Sequence, residues 1–334
     1  MVRFLFLLLF LFVHTSLYGQ SPQYKLGHGL QIGDLPLYAG GYFSLEYEDV
    51  FDQYRSLKLE DVSLMLYGEK ENFSYMLELE ANDVYSEVFG NEDADAVNEH
   101  FHIERLYVDY AVNENYAFRA GKYISPVGFW NRISINVLRD TTSNPRISRF
   151  LFPQFTSGLD LKYNTNSANE LSFDVMAQET EDMDTLVSNE IYNNFETDRH
   201  YGIGMSFSRD DIFYQFNAGY FRTVNEKQFY YVQGAFTYTK DAFRLQSEVG
   251  RQFDDDGTTI PYIGYIQGVY TLKEKHELIV RFESYSDTTI DTKDSFAVFG
   301  YTYRPLYPIA IKGEYQWHSL HDENSLFLSL SVLF

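Results

Sequence analysis

The chain has 334 residues, with 29 Tyr, 29 Phe, 8 Pro, no Cys and a formal net charge of -22. Without cysteine there is no disulfide framework, and a balance this acidic argues against a nucleic-acid partner, whose phosphates need clustered cations. So many aromatic side chains, amphipathic Tyr prominent among them, suit an exported β protein that meets membrane interfaces.

Arg3 precedes an unbroken apolar run, Phe4 to Val13, which matches a signal-peptide core and is too short to cross a bilayer as a helix. Gly19 ahead of Gln20-Ser21-Pro22 places cleavage after Gly19, although Leu17 departs from the small-x-small ideal. Residues 1–19 thus read as a signal peptide, 20–36 as a periplasmic lead-in and 37–334 as one β domain. Gly40-Gly41 admits two readings: a kink where the first strand meets the last, or two small residues in a turn.

From there strand-like runs follow one another to the end of the chain. They are Leu37 to Tyr47, Leu57 to Tyr67, Phe73 to Asn82, Phe101 to Val112, Tyr116 to Tyr123, Thr156 to Tyr163, Glu170 to Gln178 and His200 to Ser208. The rest are Ile212 to Thr223, Gln228 to Thr239, Ala242 to Phe253, Ile260 to Leu272, Glu277 to Ser286, Ser295 to Tyr303, Ile309 to His318 and Ser325 to Phe334. About sixteen segments of roughly nine to twelve residues have the length a tilted membrane strand needs. Short links such as Lys70-Glu71-Asn72, Asn113-Glu114-Asn115, Arg209-Asp210-Asp211 and Lys240-Asp241 alternate with longer, acidic ones, the asymmetry of periplasmic turns and external loops. The link Val224 to Lys227 falls on the external side and is short.

Within the runs, apolar and polar residues sit on opposite parities. Leu171, Phe173, Val175 and Ala177 alternate with Ser172, Asp174, Met176 and Gln178; Leu278, Val280 and Phe282 oppose Arg281 and Glu283; Ile309, Ile311, Tyr315 and Trp317 oppose Lys312, Glu314, Gln316 and His318. In the last run Leu326, Leu328, Leu330, Val332 and Phe334 oppose Ser329 and Ser331. A soluble barrel gives the same pattern with its faces reversed, but about sixteen strands cannot close around a side-chain core, so the apolar face looks outward to lipid and the polar face to water. The expected fold is an all-β, transmembrane antiparallel β-barrel.

These residues together resemble the Gram-negative outer-membrane porins, over nearly the whole of the chain after the signal peptide. The stretch Arg119-Ala120-Gly121-Lys122-Tyr123-Ile124-Ser125-Pro126-Val127-Gly128-Phe129-Trp130-Asn131 is similar to a segment of the phosphate-selective porin group and related porin-like proteins. The resemblance implies a water-filled channel for small hydrophilic solutes or ions and a third external loop folded into the lumen. It further implies a homotrimer in outer-membrane lipid and lipopolysaccharide, inserted by the barrel-assembly machinery with Phe334 as the assembly signal.

Counting strands makes Ile124 to Phe155 the third external connection. It carries Arg132, Arg139, Arg146 and Arg149 against Asp140, with Trp130, Phe150, Phe152 and Phe155 as apolar anchors. Two readings compete for the arginines: a constriction ladder that favours anions such as phosphate, or cations paired with lumen carboxylates to pin the loop. Wall candidates are Arg119, Arg244, Glu248, Arg281, Glu283, Lys312 and Glu314. Acidic external stretches, Asp83 to Glu99 and Glu179 to Asp198, favour cations at the mouth, bind divalent ions shared with lipopolysaccharide, or are simply solvated.

No cofactor or metal is called for by the sequence. His100-Phe101-His102 beside Glu99 and Glu104 has a spacing that can hold a metal, with a solvated rim pair as the simpler reading. Asp254-Asp255-Asp256-Gly257 lacks the remaining ligands of a calcium loop and reads as a tight acidic turn. The alternatives to a channel are a protease-like or phospholipase-like barrel enzyme, using His318, His321, Asp322 and Ser325, and a non-conducting adhesin or anchor. No catalytic residue is expected.

Overall fold

The computed structural model describes residues 24–90, 96–97, 101–165, 170–183, 194–319 and 323–334. The expected signal peptide, 1–19, lies outside these. Sixteen long strands form the wall: β1 (Leu37–Val50), β2 (Tyr54–Lys70), β3 (Phe73–Val88), β4 (His102–Ala111), β5 (Tyr116–Ile124), β6 (Phe155–Asn164), β7 (Glu170–Gln178) and β8 (Thr197–Arg209). They continue as β9 (Ile212–Thr223), β10 (Gln228–Lys240), β11 (Phe243–Asp254), β12 (Gly257–Leu272), β13 (His276–Asp287), β14 (Thr292–Leu306), β15 (Ile309–His318) and β16 (Ser325–Leu333). Each pairs antiparallel with the next, and β16 returns to β1 in the register Ser325 opposite Val50 through Leu333 opposite Tyr42. The barrel is closed and has no free edge along these strands.

Alternation decides which face looks where. Val249 on β11 is 58 % exposed while its neighbour Glu248 is 1 % exposed. Leu64, Ile203, Phe282 and Leu328 are likewise exposed, and Arg281, Glu314 and Lys312 are buried. A charged interior inside an apolar shell inverts the soluble pattern and fits a wall surrounded by lipid. Outward aromatic pairs mark both ends of the wall. Phe73–Tyr110 and Tyr116–Tyr163 lie at the turn end, with ring centroids 4.8 and 4.9 Å apart, and Tyr201–Tyr220 and Tyr220–Tyr230 lie at the loop end, at 5.9 and 5.2 Å.

At the turn end, two-residue hairpins open on Glu71, Asp210 and Asp241, all at positive φ as such tight turns require. Several strands run past the limits expected from their apolar cores. β3 continues through Asn82 to Val88, because an established ladder carries polar residues along with it. The short link after Thr223 is braced from the neighbouring loop, since Val224 N donates to Glu196 O at 2.9 Å. Asp254 Oδ1 accepts from the Asp256 and Gly257 amides at 2.9 and 2.8 Å, the geometry of a tight acidic turn.

The first and last strands meet at the two glycines. Gly41 N donates to Phe334 O at 2.9 Å and Phe334 N donates to Gly41 O at 2.8 Å. A Cβ on Gly41 would stand 2.2 Å from Ser63 O and 2.9 Å from the Phe334 ring, and one on Gly40 2.6 Å from Phe334 O. Close approach therefore requires both glycines, which stand inside β1 where the first strand meets the last and not in a turn. Just beyond, Gly29–Gln31 pairs with Tyr38 and Ala39 on the same edge of β1, and Tyr24–Lys25 pairs with Gly29–Gln31, so part of the lead-in extends the seam.

Candidate functional site

The connection between β5 and β6, residues 125–154, contains a 3-10 turn at Asn136–Leu138 and a one-turn helix at Ile147–Phe150. Its polar groups bond to inward-facing side chains of the opposite wall. Glu248 on β11 accepts from Trp130 N at 3.0 Å, Glu283 on β13 from Arg146 N at 2.9 Å, and Glu314 on β15 from Ser143 N at 3.1 Å. In the other direction Lys312 Nζ donates to Asn136 O at 2.5 Å and to Thr141 O at 3.2 Å, and Arg304 donates to Val137 O and Arg139 O. Asp140, the acidic residue of the segment, takes Arg244 and Gln267 as donors, and its carbonyl accepts from Thr302 Oγ1 at 2.5 Å.

Apolar packing fastens the same segment. Val127, Trp130, Ile147, Leu151 and Phe152 form one buried cluster with Phe221, Tyr231, Tyr265 and Val298 of the wall. Farther along, Val137 packs with Tyr42, Met65, Ala310 and Leu333. Full burial of such side chains contributes about 1.5–3 kcal/mol apiece. Of the four apolar anchors expected from sequence, Trp130, Phe152 and Phe155 are buried, while Phe150 borders open space.

That space is a cavity of 780 Å³ between the segment and β1–β4, closed on the seam side by Phe296, Gln316, His318, Ser325 and Phe327 of β14–β16. The wall side carries Glu46 and Glu48 on β1, Glu60 and Asp61 on β2, Glu80 on β3 and Glu104 on β4. Lys58, Asp83 and Glu323 complete its charged lining toward the mouth, and Arg139, Arg146 and Arg149 face it from the segment. Eight carboxylates thus share one aqueous space with four cationic side chains. Two bulges concentrate the acid. A register shift between Ser44 and Leu45 on β1 leaves Glu60 as an extra residue beside Asp61, and another between Glu78 and Leu79 does the same for Glu104.

No protein-family profile matches the chain, and no curated protein sequence matches it. Solved structures do. OmpF of Salmonella typhi in complex with daunomycin superposes with a TM-score of 0.64 at 9 % identity, over 89 % of this chain and 97 % of that one. OmpT, an outer membrane protein of Vibrio cholerae in a trimer form, gives 0.60 at 8 % identity, over 89 % and 99 %. The anion-selective porin of Comamonas acidovorans gives 0.58 at 11 % identity, over 89 % and 99 %. The fold is the porin fold.

Within this porin-fold barrel the sequence-derived residues fall into distinct settings. Glu248, Glu283 and Glu314 accept from the segment, whereas Arg244, Arg281 and Lys312 donate to it; Arg281 is fully buried, 2.7 Å from Thr141 Oγ1, from Ser143 Oγ and from Glu283 Oε1. Arg119 stands apart, bidentate to Asp109 at 2.6 and 2.7 Å and 4.0 Å over the Tyr107 ring. Arg139 bends back to Ile133 O and Ser134 O, Arg146 lies 4.5 Å over Tyr285, and Arg149 is exposed to the cavity. Arg132 does not border that cavity. Among the described residues none of these four loop guanidiniums lies within 4.0 Å of a carboxylate. Glu46, Glu48, Glu60, Asp61 and Glu80 of this wall are not among the residues singled out from sequence, and Glu104 is singled out there only beside the histidines, although the alternation of Ser44, Glu46 and Glu48 with Phe43, Leu45 and Tyr47 carries the signal for β1.

Of the residues weighed for catalysis, His318 and Ser325 border the cavity. His318 Nδ1 is 2.6 Å from Asp294 Oδ2 and its ring stacks 4.5 Å from Phe296. Ser325 Oγ donates to Glu323 O at 2.7 Å. His321 and Asp322 lie outside the described residues.

Proposed function

We propose that the chain is an outer-membrane porin, a water-filled channel for small hydrophilic solutes and ions, narrowed by residues 125–154. One observation carries this reading: a charged aqueous cavity lies inside a closed, lipid-compatible wall, with carboxylates on β1–β4 facing guanidiniums on the segment. Opposed charges across a narrow opening with low-dielectric walls create a transverse field that orients dipolar solutes in transit. With eight carboxylates to four cations the net field favours cations. The same reading places the barrel among outer-membrane lipid and lipopolysaccharide, as a homotrimer inserted by the assembly machinery, as OmpT of Vibrio cholerae is a trimer in its solved form.

Added to planar bilayers, the protein is expected to give discrete conductance steps and, in a KCl gradient, a reversal potential of cation-selective sign. Replacing Glu46, Glu60 and Asp61 by their amides should move that potential toward anions. Replacing Arg139, Arg146 and Arg149 by Ala should move it further toward cations, with Arg132→Ala having the smallest effect of the four. Barrels that insert without conducting would overturn the channel reading. A second reading, anion passage along the arginines, rests on their guanidiniums having no carboxylate partner within 4.0 Å among the described residues; an anion-selective wild type would establish it over the first.

A further inference from the structure

We propose that Glu80, His102 and Glu104 form a binding site for a first-row divalent cation of the Zn2+ type, set in the acidic wall of the cavity. Register brings the three together: Glu80 on β3 lies directly opposite His102 on β4, and the bulge residue Glu104 follows two positions later. One ligand atom from each lies within 4.8 Å of the others, and His102 Nε2 is 3.0 Å from Glu104 Oε2. All three side chains are buried in the wall, while Glu80 and Glu104 also border the cavity, so an ion has a route of entry and a place for its water ligands. One imidazole nitrogen with two carboxylate oxygens is a donor set that suits Zn2+ over all-oxygen cations such as Ca2+.

Two further features distinguish this cluster from the rest of the acidic wall. Glu80 is held in place by second partners, Asn82 Nδ2 donating to its Oε1 at 2.7 Å and the Tyr42 hydroxyl donating to its Oε2, as outer partners hold a metal-ligating carboxylate. Charge compensation is uneven as well. Glu78 has Arg105 as its ion partner, whereas among the described residues neither Glu80 nor Glu104 has a Lys or Arg within 4.0 Å. Two buried carboxylates around one imidazole cost heavily unless a cation or a proton is shared between them. His100 and Glu99, the neighbours weighed from sequence, lie outside the described residues; the ligand that spacing did not reveal is Glu80.

The site is testable without any conductance measurement, so its failure and failure of the channel reading are separable. Folded full-length barrel in detergent is dialysed against Zn2+ in the presence of excess Ca2+, which saturates all-oxygen acidic clusters, and retained zinc is counted by mass spectrometry. The expected result is one Zn2+ per chain, lost in His102→Ala and in Glu104→Gln, with affinity lowered about 10–100-fold in Tyr42→Phe. Circular dichroism confirms folding, and the near-isosteric Glu104→Gln keeps the test open where His102→Ala does not fold. Wild type retaining no zinc, or both substituted barrels retaining as much as wild type, overturns the proposal in favour of a shared proton or of scattered acidic sites.

Discussion

Replacing Glu248, Glu283 and Glu314 together by Ala is expected to free residues 125–154 from the wall and to raise the conductance step well above that of the wild type. Each of these carboxylates accepts a main-chain N–H from the segment, from Trp130, Arg146 and Ser143 in turn. Charge-assisted bonds of this kind contribute about 1.5–3 kcal/mol, so losing one at each of three positions costs about 5 kcal/mol or more, a shift of about 4000-fold or more in the docked population. Loss of Glu283 also leaves the fully buried Arg281 without its carboxylate, an additional penalty. Trypsin reads the same event independently: Arg132, Arg139, Arg146 and Arg149 should resist cleavage in the wild type and become cut sites in the triple variant. Conductance and protection both unchanged would mean that the apolar cluster around Trp130 and Phe152 holds the segment by itself.

Much of this architecture is legible in the sequence because a strand has a side-chain period of two. Parity alone sorts Val249 from Glu248 and Leu278 from Arg281, and each of the sixteen apolar runs has its strand. Strand ends are less legible. Thr197 and Gly257 extend β8 and β12 by pairing that depends on the neighbouring strand, which no local pattern encodes. The seam is legible only in part: two adjacent glycines mark a close approach, but the partner, Phe334, is almost the whole chain away.

The candidate site divides along the same line. The arginines and the wall residues Glu248, Glu283, Glu314 and Lys312 could be named because a charge excess and an inward parity are both local. Their mutual arrangement could not. Sequence leaves the loop arginines between lining a constriction and pinning the segment to wall carboxylates; in the structure the wall supplies cations to the segment, with Arg244, Arg304 and Lys312 reaching its carboxylate and carbonyls while its amides donate to the wall's carboxylates. This arrangement leaves Arg139, Arg146 and Arg149 facing the cavity. The bulges at Glu60 and Glu104 were hidden for a further reason. One extra residue in a strand breaks strict alternation, so Lys58-Leu59-Glu60-Asp61-Val62 reads as a flaw in a strand pattern although it turns adjacent carboxylates toward one cavity.

The seam sets the second large expected effect. Gly41→Val should abolish assembly of the closed barrel, since even the first carbon of a side chain there would stand 2.2 Å from the main-chain oxygen of Ser63 and 2.9 Å from the Phe334 ring. A clash against main chain finds no relief in a rotamer change, and overpacking of this kind typically costs about 1–3 kcal/mol or more at a site that can still adjust. Here adjustment means moving β1 off Ser63 of β2, and it crowds the Phe334 ring on the other edge, where Gly41 and Phe334 exchange both of their main-chain bonds; parting either pair of strands leaves unpaired N–H and C=O groups toward lipid. Phe334→Ala removes only the ring and keeps those bonds, so it should slow refolding into vesicles and lower its yield without preventing closure. Gly234→Ala is the control, because a Cβ there meets nothing within 4 Å. Refolding yields for Gly41→Val equal to those of Gly234→Ala would show that the glycine pair is not what lets the first and last strands meet.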